Sequence, residues 1–439
     1  MSKTEQPIII ALVGRVASRF DDIYSEIEFC GSQLGYNVQE VKVSGLIKGS
    51  PISTKEKIDS GNNDINLLNK IKEKLQEQTG EKSIVVISHL KREEEYNELK
   101  NENKYFYGLG VHTSRNDARR RLRRKTFGEL TGGNFKETKN KKFIFRKDLD
   151  EKSLKEAYIQ NLIIRDEGED LIIPDKKENR RIGQQMLKTL PLCDYFLNDY
   201  RGDDFKEPIK RFLKLILKKN LFEPPTEEEV AMNWAYTAAC CSVDQSRQVG
   251  SAIVDSHGEL LASGCNNVPK FHGGVYRDTQ GDDTNARHKK DLIEDLSTSL
   301  EEKFELNKEQ VKTYLTNSRL GDLLEFSQNV HAEQTAIATA ACRGVKLHGS
   351  TLYTTTFPCH LCSKLVIAAG ITKIIYLCPY RKSFALDLNP NELSVDAFVQ
   401  NKVICRGFIG THPQRFYSFF QYSSKREDKN GKRIFEKKE

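Results

Sequence analysis

His331-Ala332-Glu333, followed by Pro358-Cys359-His360-Leu361-Cys362, is the stretch on which the reading of this chain turns. Each piece opens a helical pattern, one over about 331–343 and one over about 359–369, with a strand pattern over 350–356 between them. Cys359 and Cys362 stand three apart at a helix start, so their sulfurs share a face and the helix N-terminus favours thiolates. Pro358 suits the start of such a helix. No second Cys-x-x-Cys pair follows at the spacing of a closed structural site, and His331 supplies only a third ligand. The pattern predicts Zn2+ held by His331, Cys359 and Cys362 with a fourth position open to water. Such a metal brings the ionisation of water close to neutral pH, and Glu333, beside the ligands without being one, is placed to shuttle protons. His360 would face away from the metal, as a pocket wall or a surface residue.

Working outward, Glu223-Pro224-Pro225 is a rigid break, and Thr226-Glu227-Glu228-Glu229 after it fits a capping box. A second domain over 226–439 is therefore expected to begin here. Its pattern is a helix over 227–243, strands over 249–254 and 259–264, a polar insertion over about 270–329 with two helical segments, the two helices and strand already described, and a strand over 373–377. Cys240, Cys241, Cys265, Cys342 and Cys378 lie in apolar patterns and are expected in the core.

Residues 1–223 read differently. Short apolar runs at 8–13, 38–43, 83–88, 104–111 and 195–197 alternate with helical patterns, which predicts a parallel sheet of βα units. The whole chain is 439 residues with 38% hydrophobic and 30% charged residues, enough for two cores and unlike a disordered composition. The run at 8–13 is too short for a secretory or membrane-spanning segment, so no membrane association and a cytoplasmic location are expected. Ten cysteines are too sparse for a disulfide scaffold. The net charge of +7 is unevenly placed and leaves nucleotides and nucleic acid open as anionic partners.

At the metal motif the sequence resembles the cytidine and deoxycytidylate deaminase superfamily, over most of residues 227–425. Gln248-Val249-Gly250-Ser251-Ala252-Ile253-Val254 resembles its first core strand, and Gly264-Cys265-Asn266-Asn267-Val268-Pro269 is similar to the deoxycytidylate deaminase G-Y-N-G-F-P segment. The resemblance implies a cytidine-deaminase-like α/β/α sandwich, with Glu333 serving attack on a cytosine ring and Asn266 contacting the nucleotide sugar. A second reading of Asn266 is a residue that shapes the turn before Pro269.

The whole chain resembles the bacterial anti-phage deoxycytidine nucleotide deaminases, which implies an N-terminal P-loop-NTPase-like parallel sheet domain over 1–223. It also implies dCTP and dCMP as substrates and depletion of that pool in defence. The loop after the first strand reads Gly14-Arg15-Val16-Ala17-Ser18-Arg19-Phe20-Asp21. Against G-x-x-x-x-G-K-[ST], Arg19 stands for the second glycine, Phe20 for the phosphate-binding lysine and Asp21 for the magnesium-binding hydroxyl. The strand at 83–88 ends without an acidic residue. This half is expected to bind or sense rather than to hydrolyse ATP or GTP.

Residues 115–125 form a dense basic helix. Arg119, Arg120, Arg123 and Arg124 are candidate contacts for phosphates of a nucleotide or RNA, and pairing with acidic neighbours is the alternative. No aromatic residues are interleaved for base stacking. Unchecked destruction of dCTP would harm a host, so restraint by an inhibitory small RNA or a regulatory ligand is expected, as is a homo-oligomer. The leading expectation is deamination of a free deoxycytidine nucleotide. An editor of cytosine or adenine in nucleic acid, or a nucleotide- or RNA-regulated sensor with a latent deaminase, stands beside it. Lys270, Arg277, Arg287, His288 and Lys289 in the insertion are candidate phosphate contacts, and Phe271 and Tyr276 are the aromatics near Gly264–Pro269 that could stack on a base or pack the loop.

Overall fold

The computed structural model describes residues 6–46, 67–77, 82–126, 129–130, 151–168, 184–200, 202, 204–217, 223–244, 247–276, 284–316, 318, 320, 328–380 and 383–421. The chain divides into two units, Met1–Glu229 with Gly407–Glu439, and Val230–Arg406.

In the first unit β1 (Ile8–Gly14), β2 (Asn37–Lys42), β3 (Ser83–Ser88), β4 (Phe106–His112) and β5 (Tyr195–Asn198) are parallel, in the order β5-β4-β1-β3-β2. β1 is apolar almost throughout because it is buried on both faces, as the centre of a parallel sheet requires. On the sheet, α1 (Phe20–Gln33) places Ile23 and Ile27 in one core cluster with strand residues Ile10 and Val86. The longer helices that follow before β5 are α2 (Leu67–Gln76), α3 (Glu93–Glu102), α4 (Arg115–Arg124) and α5 (Glu151–Glu167). α4 and α5 meet through Ala118 and Leu122 against Ile159 and Ile163. α6 (Lys206–Leu217) adds Ile209, Phe212 and Leu213 to the main cluster.

Two points differ from the sequence reading. The sheet is mixed rather than parallel, because β12 (Gly410–Thr411) pairs antiparallel with β5. Residues 407–421, expected in the second domain, group with the first unit. A buried carboxylate accounts for the attachment: Glu229 accepts from Arg211 Nη2 (2.6 Å), Thr226 N (2.8 Å) and Thr411 N (2.9 Å). The bond from Thr226 N, with Glu229 N donating to Thr226 Oγ1 (3.2 Å), is the capping box at the start of α7 (Glu227–Ala239). A two-residue strand carries too little pattern to be read from sequence.

The second unit is built on β6 (Gly250–Val254), β7 (Leu260–Cys265), β8 (Thr351–Thr356), β9 (Lys373–Cys378), β10 (Leu393–Ser394) and β11 (Val403–Gly407), in the order β10-β11-β9-β8-β6-β7. β6 is antiparallel to β7 and β8, and β8 is parallel to β9. The polar insertion carries α8 (Thr284–Phe304) and α9 (Lys308–Thr316). α10 (Ala332–Cys342) and α11 (His360–Ala368) follow, and Ala336, Ala340 and Val366 pack into the core beside Ile253 and Leu352. Among the described residues no helix is long and apolar enough to cross a membrane.

Cys265 is buried as expected, but Cys240, Cys241 and Cys342 are exposed. α7 stops at Ala239, so Cys240 and Cys241 fall in the turn beyond it, and Cys342 is the last residue of α10. Cys378 is partly exposed as a residue, yet burial around its thiol pushes the pKa up to about 12.

Candidate active site

Two helix starts converge on one point. His331 is the N-cap of α10 and Cys359 the N-cap of α11. His331 Nδ1 lies 3.2 Å from Cys359 Sγ and 3.3 Å from Cys362 Sγ. Ligands of a tetrahedral zinc sit about 3.5–3.8 Å from one another, given Zn–S near 2.3 Å and Zn–N near 2.0–2.1 Å, so the donor set fits that ion with little adjustment. Among the described residues these three form the group able to hold a metal.

Electrostatics point the same way. The Cys362 thiol donating to Cys359, together with the His331 ring, lowers the Cys359 pKa to about 4 despite burial. Cys362 is pushed well above the usual thiol value by the Cys359 thiolate beside it and by burial. Two adjacent thiolates in so dry a place therefore need a cation, which is the chemistry of a Cys-Cys-His zinc site. The His331 pKa is raised, chiefly by its hydrogen bond with Cys359.

Glu333 Oε2 is 3.4 Å from Cys362 Sγ, and the side chain is buried. Desolvation, then the negative charge on Cys359, raises its pKa above the usual carboxyl value, against the pull of the α10 N-terminus. A buried carboxyl beside the donor set and outside it suits proton transfer near neutral pH.

Gly264 fixes the approach of α10. A Cβ at this position of β7 would lie 2.5 Å from Ala336 N and 2.6 Å from Ala332 O, so the helix backbone rests directly on the strand. Gly264→Ala is expected to cost about 1–3 kcal/mol through overpacking, and to displace the helix that carries Glu333. Denaturant unfolding with a parallel rate assay checks it; a variant as stable and as active as the parent would contradict this packing.

Residues that the sequence reading missed hold the ligands in place. Gln334 Oε1 accepts from His331 N (2.9 Å) and Thr335 Oγ1 donates to His331 O (3.1 Å). Ser363 Oγ donates to Cys359 O (2.8 Å). The signal was available for Gln334, which stands three residues after the N-cap, as in a capping box. His360 is buried rather than on the surface, its ring 6.0 Å from that of Phe384.

Asn266 is buried at the end of β7, with Oδ1 accepting from Val249 N (2.7 Å) and Nδ2 donating to Arg247 O (2.9 Å). Its amide thus ties two chain segments together and retains one N–H and one lone pair. Lys270 and Arg287 are exposed, His288 and Lys289 are engaged with other groups of the protein, and Arg277 lies outside the described residues. Phe271 is 86% exposed.

The basic helix α4 belongs to the first unit, and most of its arginines are paired there. Arg123 makes a two-bond contact with Glu156 (2.5 and 2.7 Å), Arg120 pairs with Asp117, and Arg119 donates to Gln160. Arg124 is exposed. The outer pairs are solvent-facing and each contributes less than about 1 kcal/mol.

Comparison with known proteins adds the family. The sequence model of the cytidine and deoxycytidylate deaminase zinc-binding region matches residues 225–378. A probable deoxycytidylate deaminase of Drosophila melanogaster is 33% identical over 136 residues, 31% of this chain and 51% of that protein. The deoxycytidylate deaminase of Enterobacteria phage T4 is 30% identical over 166 residues, 35% of this chain and 77% of that protein. The chain thus spans about half the length of the fly relative and most of the phage one. A crystal structure of dCMP deaminase from the cyanophage S-TIM5 with dCMP and dUMP is 22% identical, with a TM-score of 0.25, covering 41% of this chain and 95% of that one. The chain belongs to the cytidine and deoxycytidylate deaminase family, and it carries that family's zinc-binding region.

Proposed function

We propose that the second unit removes the amino group of a free deoxycytidine nucleotide by zinc-dependent hydrolysis, converting dCMP, dCTP or both to the uracil nucleotide. The observation that carries this reading is the buried carboxyl of Glu333 beside His331, Cys359 and Cys362. Bound zinc supplies water that ionises near neutral pH. His331, Cys359 and Cys362 hold the ion, and the helix starts of α10 and α11 orient them. Glu333 would take one proton of the attacking water and deliver it to ring N3, then take the remaining hydroxyl proton of the adduct at C4 and deliver it to the departing amine, so that ammonia leaves and the carbonyl forms; its raised pKa suits this shuttle. The free N–H and lone pair of Asn266 are available to a sugar hydroxyl.

The deoxycytidylate deaminases named above support dCMP as a substrate. The sequence resemblance to bacterial anti-phage enzymes supports dCTP as well, and depletion of the deoxycytidine nucleotide pool in defence as the purpose. On the same ground we assign a P-loop-like character to the first unit, a homo-oligomeric state and control by a ligand or small RNA.

Reaction in 18O-labelled water tests the chemistry. The label is expected at O4 of the uracil product, with one ammonia released per turnover. Unlabelled product, or no product from either dCMP or dCTP, would overturn the proposal.

A further inference from the structure

The turn between α7 and β6 carries an acidic residue that neither the zinc ligand set nor the proton shuttle uses. Asp244 stands five residues beyond the end of α7. Its carboxylate reaches a different part of the chain, the run into α10: Asp244 Oδ2 accepts from Asn329 Nδ2, and Asn329 is two residues before His331. The other oxygen, Oδ1, accepts from Arg247 N (3.2 Å), and Asp244 N donates to Ser242 Oγ (3.2 Å). Ser242 Oγ in turn donates to Asn266 O (2.7 Å), so the turn is anchored at the end of β7.

The run into α10 is tied at each of its last residues. After Asn329 comes Val330, whose N–H donates to Asn267 O (3.0 Å) and whose carbonyl accepts from Asn267 N (3.2 Å). His331 N then donates to Gln334 Oε1 (2.9 Å). The backbone that delivers the imidazole is therefore held from the α7–β6 turn, from the segment after β7 and from α10 itself. Of these three ties, only the one from Asp244 brings a charge.

That charge acts on the ligand. Nδ1 is the His331 nitrogen beside the two sulfurs, which leaves Nε2 to carry the ring proton when the metal is bound. A carboxylate that favours this proton makes the imidazole a stronger ligand. The His331 pKa is raised first by its hydrogen bond with Cys359, against burial, and then by the charges of Cys359, Glu333 and Asp244. Cys359 and Glu333 belong to the site itself, and Asp244 is the contribution from outside it.

We infer that Asp244 is a positioning residue for the metal: through Asn329 it fixes the approach of His331, and its charge strengthens the imidazole as a zinc ligand. The inference rests on the zinc site described above. The competing account is a turn residue alone, since an Asp bonded to a backbone N–H a few residues on closes many turns.

The test is the zinc affinity of the metal-free full-length protein, measured by competition with a chromophoric chelator, with the Tm of the metal-free protein as the control for folding. Asp244→Asn keeps both hydrogen bonds within reach, because its carbonyl can accept from Arg247 N and its amide can meet a turned Asn329 amide. Only the charge is lost. Zinc binding is expected to weaken about tenfold to a hundredfold, the range for loss of an outer partner of a metal ligand, at an unchanged Tm. With Co2+ in place of zinc, the ligand-field bands should shift in Asp244→Asn, which a turn residue would leave as they are. Affinity and spectrum equal to those of the parent would overturn the inference and assign Asp244 to the turn. Should Asp244→Asn fail to fold, Asn329→Ala decides: it removes the tie and leaves the carboxylate, so weaker zinc binding supports the inference and parent affinity refutes it. A parent protein that takes up no zinc would contradict the metal site itself, an outcome distinct from parent and variant binding alike.

Discussion

Replacing Glu333 with alanine is expected to lower kcat by at least about 10²–10⁴, the range spanned by loss of a positioned general acid–base group. Zinc content and unfolding midpoint should change little, because the carboxyl lies beside the His331, Cys359 and Cys362 donors without belonging to that group. Removing a buried, desolvated carboxyl even relieves a charge whose pKa burial has raised. Steady-state rates together with elemental analysis separate the two effects. A rate near that of the parent protein would mean that another group moves the protons.

The second large effect belongs to the sulfurs. The Cys359→Ala, Cys362→Ala double variant should lose zinc from about one per chain to background, and turnover with it, since a single imidazole does not retain the ion. The single variants are informative too. In the metal-free protein Cys359 alone is held as thiolate, with a pKa near 4, while Cys362 keeps its proton. Zinc binding at neutral pH is accordingly expected to release the proton of Cys362 and, because the His331 pKa is raised, a further share from the imidazole, which calorimetry in buffers of different ionisation enthalpy reads. Metal content unchanged in the double variant would remove the site from consideration.

The deaminase-family unit was legible in the sequence because its signals are local. Helix and strand positions from 250 to 378 match the patterns within a residue or two, and the His-Ala-Glu and Cys-x-x-Cys pieces each sit at a helix start where side-chain direction is set by the cap. The five parallel strands of the first unit were equally visible as short apolar runs. What escaped depends on distant partners. No pattern in Gly410-Thr411 announces pairing with β5, which rests on the buried Glu229 contact across 182 positions. The carboxylates of Asp166 and Glu167 likewise meet their partners, Val16 N and Arg15, only when α5 reaches the loop after β1. The arginines of α4 showed their density in sequence and their partners only in the fold, with Arg121 meeting Asp199 and Arg123 meeting Glu156. For Cys240 and Cys241, a helix end placed four residues too late put turn positions inside an apolar face, whereas Cys342 is the exposed last residue of its helix.

The most direct test of the central claim is product analysis after incubating purified protein with deoxycytidine, dCMP, dCTP, CTP and a cytosine-containing single strand. The account predicts uracil product from dCMP, dCTP or both, with the oligonucleotide untouched. Efficient deamination of the oligonucleotide, with dCMP and dCTP unchanged at millimolar concentration, would contradict it.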